Sequence, residues 1–73
     1  MAIEILHDRD QGRAALMDSG TGIAFGPTFT DPDAADAFLV WLRAFDSRDP
    51  RQIPVAELVT WKEAWMAEAA GTV

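Results

Sequence analysis

Seventy-three residues, 49% of them apolar, with no cysteine and a formal charge of −6, describe one small acidic domain spanning 1–73. Twelve Asp and Glu against six Lys and Arg argue against gripping DNA or RNA through phosphates, or docking on anionic lipid, since both need a basic face. The lack of cysteine removes disulfides and thiolate chemistry, and a core this small leans on tight packing or on a partner.

The opening residues, MAIEILHDRD, carry no basic stretch followed by a long apolar run, and no segment reaches the ~20 apolar residues of a membrane span. The expectation is a cytoplasmic soluble protein. Residues 2–7 alternate Ile3 and Ile5 against Glu4, the period of a strand, while Leu6 breaks the alternation as though both faces were covered. Asp8, Arg9, Asp10, Gln11 and Gly12 form a polar turn. Residues 13–18, RAALMD, suit a short helix by propensity. A second strand is the preferred reading, because turns crowd the segment on both sides and it is too short for a stable helix. Asp18, Ser19, Gly20, Thr21 and Gly22 make the next turn, with glycines to supply positive φ. A third strand follows over about 22–26, with Ile23 and Phe25 facing inward and Gly26-Pro27 ending it, because proline cannot donate to a ladder.

The stretch 30–45 is the organising element. Pro32 suits the first helical position and pushes Asp31 out of the α region, where its carboxylate can cap the helix. Asp33 favours the positive end of the helix dipole. Phe29 stands just outside, placed to fold back on the first turn. At about 100° per residue, Ala34, Ala35, Phe38, Trp41, Leu42 and Phe45 share one face. Asp33, Asp36, Val40 and Arg43 lie opposite, with Leu39 on the flank. Val40 is the misfit, an apolar side chain on the wet side. After about residue 46 the run DSRDPRQIP cannot continue a helix and reads as an exposed connection. Pro54 then opens a second helix at its first position, over about 54–70. Leu58, Trp61, Trp65 and Ala69 lie on one face with Val55 beside them, and Gly71 stands as the stop. Ala56, Thr60, Glu63 and Ala67 are opposite.

The predicted architecture is therefore α+β: a three-stranded antiparallel meander followed by two antiparallel helices packed on one face. Phe38, Trp41, Leu42 and Phe45 are expected to meet Leu58, Trp61 and Trp65. The hairpin turns and the inter-helix connection are expected to stay exposed. The hairpin-then-helix layout around residues 24–29 resembles that of small bacterial and phage proteins, and carries no residue role with it.

Chemistry-bearing residues are sparse. His7 is the single histidine, and Asp8, Asp10 and Ser19 are the nearest candidates for a catalytic set. A general base needs an acceptor, a pocket and a partner, and the spacing brings none of these together. The turn from Asp8 to Gly12 has the first acids of a calcium loop but not its glycine at the sixth position or its glutamate at the twelfth. Gly20, Gly22 and Gly26 are not followed by the Lys-Ser or Lys-Thr of a phosphate loop. No catalytic, metal-binding or cofactor-binding residues are expected. Trp61 and Trp65, with Met66 beside them, either fill the gap between the helices or anchor a partner, since Trp buries much area at little rotamer cost. The functional expectation is a non-catalytic protein–protein interaction module that docks a protein partner or a second copy through Trp61, Trp65, Met66 and Val40, together with the exposed edge of the sheet. It does so without direct nucleic-acid or membrane contact. The alternative is an acidic nucleic-acid mimic that blocks a basic enzyme of restriction or CRISPR type through Asp31, Asp33, Asp36 and the acids that follow.

Overall fold

A computed structural model describes residues 3–71 of the chain. Three strands, β1 (Ile3–Asp8), β2 (Arg13–Asp18) and β3 (Ile23–Phe29), precede two helices, α1 (Pro32–Phe45) and α2 (Val55–Gly71), with one 3₁₀ turn (Pro50–Gln52) between them. The expectation at Ala2 lies outside the described residues. The sheet is an antiparallel meander in the order β1-β2-β3. Residues 13–18 are strand, as preferred. Two of their side chains, Ala14 and Leu16, are buried, and that tertiary cover overrides the helical propensity of Ala, Leu and Met.

The turn at 19–22 closes on Asp18. Its carbonyl accepts from the Gly22 N–H at 2.7 Å, and its carboxylate accepts from the Gly20 N–H at 2.8 Å. β3 does not end at Gly26-Pro27 but continues to Phe29. The pairing moves from Leu16↔Phe25 to Ala15↔Thr28, so Gly26 and Pro27 form a bulge on an edge strand, where a missing N–H costs no ladder bond. Gly26 makes this possible with φ 74, and a Cβ there would stand 3.2 Å from Leu58 Cδ1. The bulge resets the alternation, so Phe25 opposite Leu16 and Phe29 opposite Ala14 both face the helices. Phe29 thus lies outside α1, as expected, but as the buried last residue of β3, and its ring lies 5.2 Å from that of Phe38.

α1 starts as its sequence dictates: Asp31 is extended, and its carboxylate accepts from the Ala34 N–H at 2.8 Å. The helix lies over the sheet and against α2, which itself packs along β3. The core comprises Ala14, Leu16, Phe29, Ala35, Phe38, Leu39, Leu42, Ile53 and Leu58. Fully burying Phe38, Leu16, Leu42 and Leu58 stabilises the fold by about 1.5–3 kcal/mol each. Phe38 meets Trp65, whereas Phe45 meets Trp61, so the helices run antiparallel as expected. The Cα extents of 38 × 30 × 19 Å fit one layer of helices on one sheet. The other sheet face carries Glu4, Leu6, Ala15, Met17, Ala24 and Thr28 and has no covering element among the described residues.

Several expectations are corrected. Leu39 is buried rather than flanking, because α1 contacts the sheet as well as α2, and its apolar arc is correspondingly wide. Phe45 is 60% exposed: it is the last residue of α1, where little beyond the rings of Trp41 and Trp61 is left to cover it. Ile23 is 65% exposed, since it occupies the last rung of the β2–β3 ladder beside the turn. Pro54 sits at the cap position, not the first helical one, with its carbonyl accepting from the Leu58 N–H at 3.0 Å. Gly71 is itself helical, as the last described residue of α2. The inter-helix connection is partly buried rather than exposed throughout: Pro50 and Ile53 are buried in it.

Candidate functional site

α2 draws on good helix formers, including five alanines, with Glu57 in the first turn where the dipole favours it. One side rests on the body of the protein. Leu58 is fully buried against Gly26, and Trp61 and Trp65 are half-buried. The aromatic rings form a continuous chain. Trp65 sets an edge against Phe29 at 6.1 Å and against Phe38 at 5.7 Å, while Trp61 meets Trp41 at 5.7 Å. The Trp41 indole N–H donates to Glu68 at 3.2 Å, which ties the far end of α2 to α1. Lys62 extends along β3, donates to the Thr28 carbonyl and places its ammonium 4.9 Å from the centre of the Phe29 ring.

The other side of α2 has no neighbouring element among the described residues. Leu58 is the single buried residue of its seventeen, and Val55, Val59 and Met66 are 56%, 37% and 53% exposed. Between α2, the end of β3 and the start of α1 lies an open apolar trough of about 400 Å³. Phe29, Ala34, Trp65, Met66, Ala69 and Ala70 line it, with Lys62 and Thr30 at the rim. The sequence-predicted residues divide accordingly. Trp65 and Met66 come together on the trough. Trp61 stands further along α2 in the ring cluster with Trp41 and Phe45. Val40 is 64% exposed on α1 and is not among the residues lining the trough.

A second depression, of about 370 Å³, lies at the inter-helix connection and is lined by Arg43, Arg48 and Arg51 with Asp46 and Asp49. Its charges are largely committed. Arg48 bridges Asp46 at 2.6 Å and Glu57 at 2.9 Å, and Arg51 joins Asp49 to Asp18 across the fold. Each aspartate also accepts the backbone N–H of the arginine two residues on, at 3.0 Å in both cases. Hydrogen bonds from the Arg51 guanidinium and backbone hold the Asp49 carboxyl down at about 2, and Arg48 lowers Asp46 in the same way. The tandem Asp-x-Arg spacing in DSRDPR was the sequence signal for this clasp, which fastens the connection to the end of β2 and the start of α2.

His7 and Ser19 do not meet. His7 pairs with Ala14 at one end of the β1–β2 ladder, and Ser19 follows Asp18, which pairs with Ile3 at the other. Asp8 uses its carboxylate to accept from the Gln11 N–H within the first turn. Among the described residues, no group of three His, Cys, Asp or Glu side chains could hold a metal ion, and no helix is long and apolar enough to cross a membrane. Comparison with models of protein families, with curated proteins and with solved structures gave no match.

Proposed function

We propose that the chain is a protein–protein interaction module without catalysis of its own, working in the cytoplasm and docking its partner on the outward side of α2 around Trp65 and Met66. The observation that carries this reading is a seventeen-residue helix that buries one side chain and leaves three large apolar ones in solvent beside an apolar trough. A helix apolar on both sides is normally covered on both, and an exposed apolar patch rimmed by polar groups is the usual mark of a docking surface. Trp61 backs the surface through its rings, and Val40 remains outside it. The charge of −6 turns the module away from nucleic acid and anionic lipid.

The acidic-mimic alternative draws less support, because Asp18, Asp46, Asp49 and Glu57 are taken up by Arg48 and Arg51, and Asp31 caps α1. It predicts salt-sensitive binding to a basic nucleic-acid enzyme that D33N/D36K abolishes.

The test is capture from a lysate of the source cells on the immobilised full chain, comparing wild type with Met66→Glu and Val40→Glu, folding being checked by circular dichroism. The reading expects a protein, the chain itself included, that wild type and the Val40 variant retain and the Met66 variant loses. Retention of the same set by all three, or of nothing by wild type, overturns it.

A further inference from the structure

Resting on the reading of α2 as a docking surface, we propose that its occupant is a second copy of this chain, the two α2 helices lying side by side and pointing the same way. At 100° per residue, Val55, Val59, Met66 and Ala70 fall within about 30° of one line along the helix, roughly 90° round from the buried Leu58. All four are exposed. Lys62 borders this line about 50° to one side and Glu63 about 50° to the other.

The charges on these two borders choose the occupant. Lys62 is the sole lysine of the chain, and it makes no ion pair among the described residues: the four ion pairs found there belong to Arg48 and Arg51. An ammonium has three donors, and the Thr28 carbonyl takes one of them. Glu63 is exposed and engages no cation among the same residues. The helix therefore offers an apolar strip with a positive edge that has no anionic partner and a negative edge that has no cationic partner among the described residues, at the same height. A twofold axis parallel to α2 brings opposite edges together, so Lys62 of each copy lies beside Glu63 of the other, and both contacts form at once. The apolar residues then meet their own counterparts along the seam. An antiparallel pair would set Lys62 against Lys62 and Glu63 against Glu63, so the order of charges selects the parallel arrangement. A strip whose two edges complement each other in sign needs no second protein to explain it.

Sedimentation equilibrium of the full chain, from micromolar to millimolar concentration at physiological salt, tests this. Wild type is expected to show a reversible monomer–dimer equilibrium. K62E places two acids at each border contact and E63K two bases, and each is expected to weaken association by about tenfold. The double variant K62E/E63K re-forms both pairs with signs exchanged and is expected to return close to wild type. Because Lys62 also touches Thr28 and Phe29, E63K, at an exposed position, carries the test if K62E loosens the fold. A wild type that stays monomeric throughout, a dimer that neither single reversal weakens, or a double variant no tighter than the singles overturns the second copy as occupant. If wild type is monomeric while a captured protein is still lost with Met66→Glu, only the choice of occupant fails. If Met66→Glu changes nothing in either assay, the docking surface itself fails.

Discussion

Leu58→Ala probes how α2 is held. Leu58 is the one fully buried side chain of that helix, and its Cδ1 lies where a Cβ on Gly26 would come within 3.2 Å, so it locks α2 to the bulge of β3. Truncation removes three carbons from a site that close backbone contact keeps from collapsing, so the loss should fall within the usual range of about 2–5 kcal/mol. A domain of this length has a total stability of roughly 4–11 kcal/mol, and each kcal/mol shifts the midpoint of thermal melting by about 4–8 °C. The variant should therefore melt at least about 8 °C lower, and its urea midpoint should fall by about a fifth or more of the wild-type value. Urea titration followed by tryptophan fluorescence is the assay, because Trp61 and Trp65 follow Leu58 by about one and two turns on α2 and report on its docking. A loss within about 0.5 kcal/mol, the usual range of a surface substitution, would refute the claim that Leu58 anchors the helix.

Gly26→Ala should destabilise the fold by about 1–2 kcal/mol from its left-handed φ alone, with the approach to Leu58 adding to it; chemical denaturation measures the loss. Asp31→Ala should cost about 0.5–2 kcal/mol by uncapping α1, seen as a lower midpoint with an unchanged urea slope. The Asp49 carboxyl lies at about 2 against an ordinary 3.8, so the folded state favours its ionised form. The stability this lends is fully present above the unfolded value and is lost as pH falls from about 4 towards 2. Arg51→Met should flatten that part of the stability–pH profile, and an unchanged profile would contradict the clasp. Val40→Glu should alter neither stability nor association, checked by melting and by sedimentation.

The strand, strand, strand, helix, helix order was legible because each boundary has its own chemistry: turn glycines after Asp8 and Asp18, and Asp31-Pro32 at the start of α1. The core face of α1 followed from period alone at Phe38 and Leu42. What escaped depends on contacts distant in sequence. The bulge at Gly26-Pro27 looks like a strand end because proline is a breaker when read locally, yet on an edge strand it interrupts nothing. Phe45 has the right period but sits where α1 ends, so its phase promised a cover that the fold does not provide. Arg51 reaches Asp18 across 33 positions of sequence, which no local pattern encodes, although the repeated Asp-x-Arg was visible. For the candidate site, the period of α2 put Trp65 on its apolar stripe with Met66 beside it, and the structure brings the two to one trough. The trough they share with Phe29 and Ala34 depends on the continuation of β3, and was therefore hidden.

The most direct measurement of the central claim is solvent paramagnetic relaxation of the Met66 methyl group, followed by NMR as the full chain is concentrated and as captured partner is added. The account predicts that Met66 is strongly relaxed in the dilute chain and becomes protected on association, while the Val40 methyls stay as accessible as before. A Met66 methyl that remains equally exposed under both conditions would contradict the assignment of α2 as the docking surface.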